Sequence, residues 1–412
     1  MHELFTANGS VFAPRFSPDS RRIRFSVSDV PQNTTELWEI NADGSDPHVL
    51  LANWRKASAA CCGRWTADGR YYVFQATEGE PSNLTSLWAL PESGRGADRG
   101  TPSLPIQLTS GPTSFGNASP ASDNKTIWAI GVQPVGEVVK YNGDKKRFDP
   151  VIPGLSATDL DFSPAEKWIT YVTIPEGTLW RCRADGTARL QLTSPPERAA
   201  LPRWSPDGKQ IAYVSMQPGK PSKILVIPAG GGTSTEILPE SRSQVDANWS
   251  SDGTRIMFGY LHAAEGINIR IVDLKTRKTA TLPGSDALFS PRWSLDGRYV
   301  AALSPDFTTL KLFDFETQKW TNWLTEPAGA VSYPVWSADS KYLYFDDLVT
   351  GVETIRRVKL GESKAERVFA LEGIARYPGA FGLWSGRTPD GSWMFVRDLS
   401  TQEVYGLTIE SR

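Results

Sequence analysis

The sequence predicts an all-β protein: a single β-propeller of four-stranded antiparallel blades. A hairpin pattern recurs from one end of the 412 residues to the other, and successive copies lie 42 to 55 residues apart. No stretch shows the apolar period of a long amphipathic helix. Intervals of this size are typical of one propeller blade per repeat and exceed those of leucine-rich repeats.

The clearest copy, LPRWSPDGKQIAYVS at 201–215, shows why each repeat begins with a hairpin. Alternation before the turn indicates one strand, and the β-branched and aromatic run at 211–214 indicates a second. Between them Pro206 presets φ, Asp207 accepts hydrogen bonds from backbone amides, and Gly208 supplies a positive φ. A tight antiparallel hairpin is therefore expected in every copy.

Aligned on the turn carboxylate, the copies give nine anchors. Ala165 and Glu166 stand in the fourth copy where Asp and Gly are expected. The anchors lie at Asp19, Asp68, Asp123, position 165, Asp207, Asp252, Asp296, Asp339 and Asp390. Because each carboxylate stands alone in its own turn, we interpret them as structural turn anchors rather than as catalytic acids or calcium ligands.

A third strand, a turn and a fourth strand follow each hairpin, for instance GEVVKYNGD then KRFDPVIP in the third copy. The last copy has three strands, the final one being EVYGLTIE. We expect residues 3–6 to supply its missing outer strand, because unpaired edges invite aggregation and closure removes them. This closure gives nine blades in one domain, 1–412, with no second domain.

Eight blades is the alternative. Rings of four to eight blades are typical, and the interval before Asp390 contains the extra residues YPGAFGLWSGR. In this alternative the distorted last unit does not form a full blade.

Composition and charge limit the functions that need consideration. The net charge of −2 gives no general attraction to nucleic acid or to anionic membranes. No apolar run approaches the length of a membrane span. The three histidines lie in different repeats without zinc-ligand spacing, and the chain has no GxSxG motif. We therefore predict no metal, no cofactor and no catalytic residues.

Repeats of the form xPRWSPDGKxIAF, followed by a strand that ends in LT, resemble the WD40-like (PD40) repeats of TolB-like propellers over nearly the whole chain. Stretches such as CCGRWTADGRYYVFQ and LPGSDALFSPRWSLDGRYVAALS resemble more specifically the C-terminal propeller region of bacterial winged-helix transcriptional regulators. The resemblance implies a sensing or interaction role. It does not imply DNA binding, because the winged-helix domain has no counterpart in this sequence.

Four arginines stand four residues before their anchors, on the strand face opposite a neighbouring Phe or Trp. A propeller gathers such strands around its channel, where guanidinium groups can bind an anion or an acidic peptide. The alternative is that each pairs with a carboxylate such as Asp161 or Asp246. These candidate binding residues are Arg15, Arg64, Arg203 and Arg292.

Two other residue groups are expected to be structural. Large rings at one repeat position predict core between blades rather than a ligand cage; they are Trp65, Trp204, Trp249, Trp293 and Trp336. Adjacent cysteines rarely bridge, so Cys61 and Cys62 are expected to be a buried apolar pair. The alternative is a thiol sensor, which requires an exposed thiolate.

The functional expectation is a non-enzymatic, monomeric sensor or interaction scaffold. Its partner is a protein or a small anionic ligand, bound on the rim or in the channel. The alternatives are a channel-mouth enzyme, such as a lactonase or lyase, and an incomplete fragment of a larger propeller. The compartment stays open: periplasmic for an exported part of a membrane regulator, cytoplasmic for the chain as written, which lacks signal-peptide features.

Overall fold

The computed structural model describes residues 3–29, 31–54, 57–78, 84–92, 104–260, 266–326, 331–347 and 353–408. Every regular element among them is a β-strand, so the predicted all-β class is confirmed. The described residues include no helix able to cross a membrane. Residues 1–135, 217–220 and 400–412 form one compact unit, unit 1, and residues 136–216 and 221–399 form another, unit 2. One domain spanning 1–412 stays a prediction.

The described strands of unit 1 fall into three antiparallel groups, and a parallel pairing of Thr35 with Ala59 joins the first two groups into one eight-stranded sheet. The first consists of β1 (Ser10–Phe16), β2 (Arg22–Asp29), β3 (Thr34–Asn41) and β4 (His48–Val49). The second consists of β5 (Ala57–Trp65), β6 (Tyr71–Glu78), β7 (Thr85–Pro91) and β8 (Ile106–Gln107). The third consists of β9 (Ser114–Pro120), β10 (Thr126–Gln133) and, from the end of the chain, β35 (Thr401–Thr408).

The described residues of unit 2 form six four-stranded antiparallel sheets. The first is β12 (Arg147–Pro150), β11 (Gly136–Asn142), β34 (Trp393–Asp398) and β33 (Ser385–Arg387). The second is β13 (Ala157–Phe162), β14 (Trp168–Thr173), β15 (Leu179–Arg183) and β16 (Leu190–Gln191). The third is β17 (Arg198–Trp204), β18 (Gln210–Met216), β19 (Lys223–Pro228) and β20 (Thr235–Glu236).

The remaining three sheets continue in chain order. They are β21 (Gln244–Trp249), β22 (Arg255–Tyr260), β23 (Ile269–Asp273), β24 (Thr279–Thr281); β25 (Phe289–Trp293), β26 (Tyr299–Leu303), β27 (Thr309–Asp314), β28 (Lys319–Thr325); and β29 (Val331–Trp336), β30 (Tyr342–Asp347), β31 (Thr354–Lys359), β32 (Ala365–Ala370). Each sheet contacts the next, and the first also contacts the sixth. Unit 2 is therefore a ring of six blades. Its core lies between blades, where rings such as Trp323 and Trp336 stack with centroids 5.5 Å apart.

The third and last repeats exchange their outer strands. The sequence predicts that β11 continues the sheet of β10, and that β35 continues the sheet of β34. In the structure β10 pairs with β35 along its full length, and β11 pairs with β34. Both crossings occur where two strands follow each other closely, at 133–136 and 398–401.

The predicted closure by residues 3–6 is not observed. Among the described residues this segment forms no ladder with β33, β34 or β35. Phe5 packs instead on the first group of unit 1, with ring centroids 5.8 Å from Phe25 and 5.3 Å from Trp38. The physical reason is that β34 is paired on both edges, by β11 and β33, and that the aromatic contacts of Phe5 hold the segment on the first group of unit 1.

A β-bulge interrupts nearly every inner strand, the strand that precedes the anchor. Register shifts occur there in eight of the nine described inner strands. The residue six positions before the anchor then has a φ between 45° and 64°. A bulge of this kind redirects a side chain away from the regular alternation. The residues are Ala13, Cys62, Asn117, Asp159, Leu201, Asp246, Ser290 and Tyr333.

Hydrogen bonds to the anchor carboxylates hold the hairpin turns. Ser205 Oγ donates to Asp207 Oδ1 at 2.7 Å, and the Lys209 amide donates to the same oxygen at 3.0 Å. In six other turns, the hydroxyl of the residue two positions before the anchor and the backbone amide two positions after it also donate to the anchor carboxylate. These anchors are Asp19, Asp68, Asp252, Asp296, Asp339 and Asp390. At Asp123 the amides of 125 and 126 donate. The hydrogen bonds from the hydroxyl groups of Thr66 and Ser250 are the main cause that lowers the pKa of Asp68 and of Asp252 to about 2.

Candidate functional site

Four successive hairpin turns of unit 2 surround a groove of about 400 Å³, which we name the turn-face groove. The turns pack closely, since a methyl group on Gly208 would lie 3.6 Å from Pro164 of the preceding blade. Leu295 stands in a turn position and is 60% exposed. The groove is lined by Pro164, Arg203, Trp204, Pro206, Asn248, Trp249, Ser250, Ser251, Trp293, Ser294 and Leu295.

Tryptophans form the walls of the turn-face groove and link neighbouring blades. The indole N–H of Trp204 donates to the Asp161 carbonyl at 3.3 Å, and that of Trp249 donates to the Arg203 carbonyl at 3.0 Å. Both acceptors belong to the preceding blade. Trp204, Trp249, Trp293 and Trp336 are buried, whereas Trp65 of unit 1 is half-buried. The rings therefore hold the groove in a fixed shape.

A separate cavity of about 230 Å³ contains an internal ion pair. Arg292 Nη1 lies 2.8 Å from Asp246 Oδ1, and Ser290 Oγ donates to the other oxygen of Asp246 at 2.6 Å. Burial alone would raise the pKa of Asp246, but Arg292 and Ser290 bring it below its ordinary value. This central cavity is lined by Leu201, Val245, Asp246, Phe289, Ser290, Arg292, Leu303, Phe307, Ser332, Tyr333 and Phe381.

The extra residues 377–387 reach into this region. Tyr333 donates its hydroxyl hydrogen to the Phe381 carbonyl at 2.9 Å. Burial, and then the nearby carboxylates Asp159 and Asp246, raise the pKa of Tyr333. The tyrosine is therefore a neutral hydrogen-bond donor throughout the physiological pH range. Sequence reasoning treated the insertion as a distortion and missed its place in the cavity wall.

Two carboxylates of β13 bind the neighbouring inner strand. Asp159 Oδ2 accepts the Leu201 amide at 3.1 Å, and Asp161 Oδ2 accepts the Trp204 amide at 2.8 Å. Burial raises the pKa of Asp159, and it raises the pKa of Asp161 to about 6 against the attraction of Arg203. Asp161 therefore changes charge close to neutral pH, next to the turn-face groove.

We expect Asp161→Asn to increase stability at pH 7. In the folded state the pKa of Asp161 is about 6, whereas the ordinary pKa of an aspartate side chain is 3.8. The native chain therefore loses stability as the pH rises through this window, by at most about 3 kcal/mol and less because the side chain is partly exposed. Asparagine keeps the acceptor for Trp204. Thermal unfolding at pH 4 and pH 7 measures the effect, which should vanish at pH 4.

Asp207→Asn is the matched control, because hydrogen bonds from Ser205 and Lys209 lower the pKa of that exposed carboxylate. The ionised Asp207 contributes to the stability of the folded state above pH 3.8, and this contribution is lost on acidification. The Asp207→Asn variant should therefore be less stable than the native chain at pH 7. Equal pH profiles for the two variants would contradict the assignment of Asp161.

The four candidate arginines occupy different surroundings. In unit 1, Arg15 is half-buried and donates to the Pro14 carbonyl at 2.8 Å, and Arg64 is exposed. In unit 2, Arg203 donates to the Pro202 carbonyl at 3.0 Å and lines the turn-face groove. Arg292 is 7% exposed and pairs with Asp246. Arg203 is therefore the candidate of unit 2 that is placed to meet a ligand.

The cysteine pair differs from its expectation. Cys61 and Cys62 form a disulfide and are half-buried, whereas a buried pair of thiols was predicted. The bulge explains the difference, because Cys62 has a φ of 64° and leaves the regular alternation that separates adjacent side chains. Within the described residues, no group of three or more His, Cys, Asp or Glu side chains is arranged to hold a metal ion.

Comparisons with known proteins support the fold. No family model matches the chain. A solved structure assigned as TolB from Agrobacterium tumefaciens is 18% identical, with a TM-score of 0.51, covering 65% of this chain and 99% of that one. TolB from Acinetobacter baumannii is 15% identical, with a TM-score of 0.44, covering 72% and 82%. An uncharacterized peptidase of Bacillus subtilis, YuxL, is 23% identical over 117 residues, 26% of this chain and 18% of that protein.

The similarity to the Agrobacterium tumefaciens structure shows a TolB-like β-propeller fold and nothing finer. The predicted resemblance to the propeller region of winged-helix regulators is not supported by the comparisons.

Proposed function

We propose that the chain is a non-enzymatic sensor or interaction scaffold that binds an extended polypeptide segment in the turn-face groove. The observation that carries this proposal is the chemistry of the groove. Its lining is mostly apolar, Leu295 is exposed there, and Arg203 is the one charged side chain among the described residues that line it. Such a surface suits a partner with a bulky apolar side chain beside an acidic one.

Shape supports a polypeptide over a small anion. A volume of about 400 Å³ accommodates several side chains or a short extended segment. The tryptophan walls are fixed by hydrogen bonds to the neighbouring blade, so binding requires little ordering of the groove. A small anion would use Arg203 and leave the apolar part of the lining uncovered.

Site-specific photo-crosslinking tests the proposal. A photoreactive phenylalanine analogue at position 295 is expected to give a discrete adduct with one protein in the native cells. The same analogue at position 368 is the matched control, since Val368 is also exposed in unit 2 but lies on an outer strand. Equal labelling from both positions, or none from 295, would contradict the assignment of the groove.

We expect Leu295→Glu to weaken binding of that partner at least about tenfold, because it places a carboxylate in an apolar contact and repels the acidic segment. Val368→Glu should leave the affinity unchanged. Titration of the isolated partner by calorimetry gives the ratio. Thermal unfolding of both variants shows whether the fold is kept, and a partner that binds both equally well does not use the groove.

A channel-mouth enzyme is the second candidate, and the raised pKa of Asp161 favours it. A carboxylate that titrates near pH 6 is suited to general acid–base chemistry. Asp161→Asn separates the two functions: it abolishes turnover if Asp161 is the base, whereas polypeptide binding at the groove survives it.

A further inference from the structure

The disulfide between Cys61 and Cys62 lies at the bulge of β5, in unit 1. The ladder between β5 and β6 shifts register between Cys61 and Arg64. The Cys62 amide donates to Ser26 Oγ at 3.2 Å, so the strand β2 also holds this backbone. The pair is therefore fixed between two strands rather than placed in a free loop.

This disulfide contributes little to the stability of the fold. A disulfide stabilises mainly by restricting the unfolded chain, and the restriction is small when the two residues are adjacent. The backbone does not need it either, since Leu201, Asp246 and Tyr333 have the same bulge and a positive φ without a disulfide. A covalent bond with so small a structural effect is better explained by its chemistry.

The surroundings fit a reactive pair. Both cysteines are half-buried rather than enclosed in the core. Tyr72 is fully buried, and its hydroxyl has no hydrogen-bond partner among the described residues. That hydroxyl lies 2.7 Å from where a methyl group on Gly63 would be, next to Cys62. An unused hydroxyl donor therefore lies beside the residue that follows the pair.

We propose that Cys61–Cys62 is a thiol–disulfide exchange site, opened by a dithiol reductant to a vicinal dithiol that binds thiophilic ions. One reductant thiolate attacks a sulfur of the pair and forms a mixed disulfide, and the second reductant thiol displaces the other cysteine. The pair gains two electrons and two protons as two thiols, and the reductant becomes a disulfide. With a trivalent arsenic oxide, the two thiols form two sulfur–arsenic bonds and release one water.

Mass spectrometry of the native, full-length chain tests this site. Without reductant, maleimide is expected to add nothing to Cys61 or Cys62; after dithiothreitol it should add two labels to this pair. Phenylarsine oxide should add one arsenic to the reduced chain and block both labels. The buried thiol Cys182, whose pKa burial raises to about 11, should stay unlabelled in the folded protein.

The variants separate an exchange site from a structural bond. Cys61→Ser and Cys62→Ser should each lose arsenic binding, and Cys182→Ala should keep it. The double variant should unfold within about 2 °C of the oxidised native chain. Free thiols at 61 and 62 in the isolated chain after treatment with the thiol oxidant diamide would overturn the proposal, and so would a fall of more than about 5 °C in the double variant.

Discussion

Replacing Arg376 by methionine is expected to destabilise unit 2 by about 3–5 kcal/mol. The side chains of Arg376 and Asp346 are 1% and 0% exposed, and Arg376 Nη2 lies 3.0 Å from Asp346 Oδ2. Arg376 also donates to the carbonyls of Leu383 and Trp384, which tie the inserted segment to the ring. Removing the guanidinium leaves a buried carboxylate without its counter-charge and two carbonyls without their donor.

The pH dependence of this variant follows from the burial of Asp346. Burial already raises the pKa of that carboxyl, and Arg376 opposes the rise. Without Arg376 the folded state binds the proton more tightly than the unfolded chain, so stability falls as the pH rises above the ordinary value of 3.8. The loss should therefore be larger at pH 7 than at pH 5, as measured by urea unfolding.

Arg298→Met is the matched control, because Arg298 pairs with Asp314 and Glu316 but its side chain is 41% exposed. Its loss should cost much less stability than the loss of Arg376, because solvent screens an exposed ion pair. Adding Asp346→Asn to Arg376→Met should recover part of the stability, since it removes the unpaired charge. A cost for Arg376→Met no larger than that of the control would contradict the assignment.

Ending the chain after Leu399 is expected to unfold the third strand group of unit 1 and spare unit 2. The truncation removes β35, and with it Tyr405, whose ring lies 5.3 Å from Phe115 in an edge contact. What remains is the two-stranded hairpin β9–β10, which is marginal by itself. Loss of the Tyr405 contact alone costs about 2–3 kcal/mol, or about 100-fold in local opening.

Hydrogen exchange of backbone amides measures this result strand by strand. Amides of β10 that bond to β35 should lose protection, whereas those of β11 should keep theirs, because β34 is still present. Val404→Lys in the full chain is the control, since that side chain is 73% exposed and its change should leave both strands protected. Loss of protection in β11 would contradict the strand exchange.

The repeat predicts most of the local structure. Ser205, Asp207 and Gly208 indicate the hairpin turn, because the side-chain hydrogen bonds and the positive φ that form it involve only a few consecutive residues. Copies of the turn can therefore be recognised directly in the sequence. The position of Trp204 before the turn likewise indicates a ring between blades. These features depend on residues that are close together in the sequence, so they can be predicted from it.

The strand exchange and the site depend on distant partners. GEVVKYN and EVYGLT both contain the β-branched and aromatic residues that favour strands, so either sequence suits the outer position of either sheet. The sequence does not indicate the bulge, because the eight bulged positions are occupied by Ala, Cys, Asn, Asp, Leu, Ser or Tyr. None of them is a glycine, the residue that would mark a positive φ. The repeat indicates Arg292 and, as a partner for the arginines, Asp246, but no sequence signal indicates that Tyr333 reaches the cavity through the same bulge.

The strand exchange fixes the order in which the chain can finish folding during synthesis. The ring of unit 2 needs β33 and β34, which emerge before β35. The third group of unit 1 contains β9 and β10, which are made before the strands of unit 2, yet it waits for β35. This group is thus completed after the ring of unit 2, and until then the edge of β10 is open to chaperones and to other nascent chains.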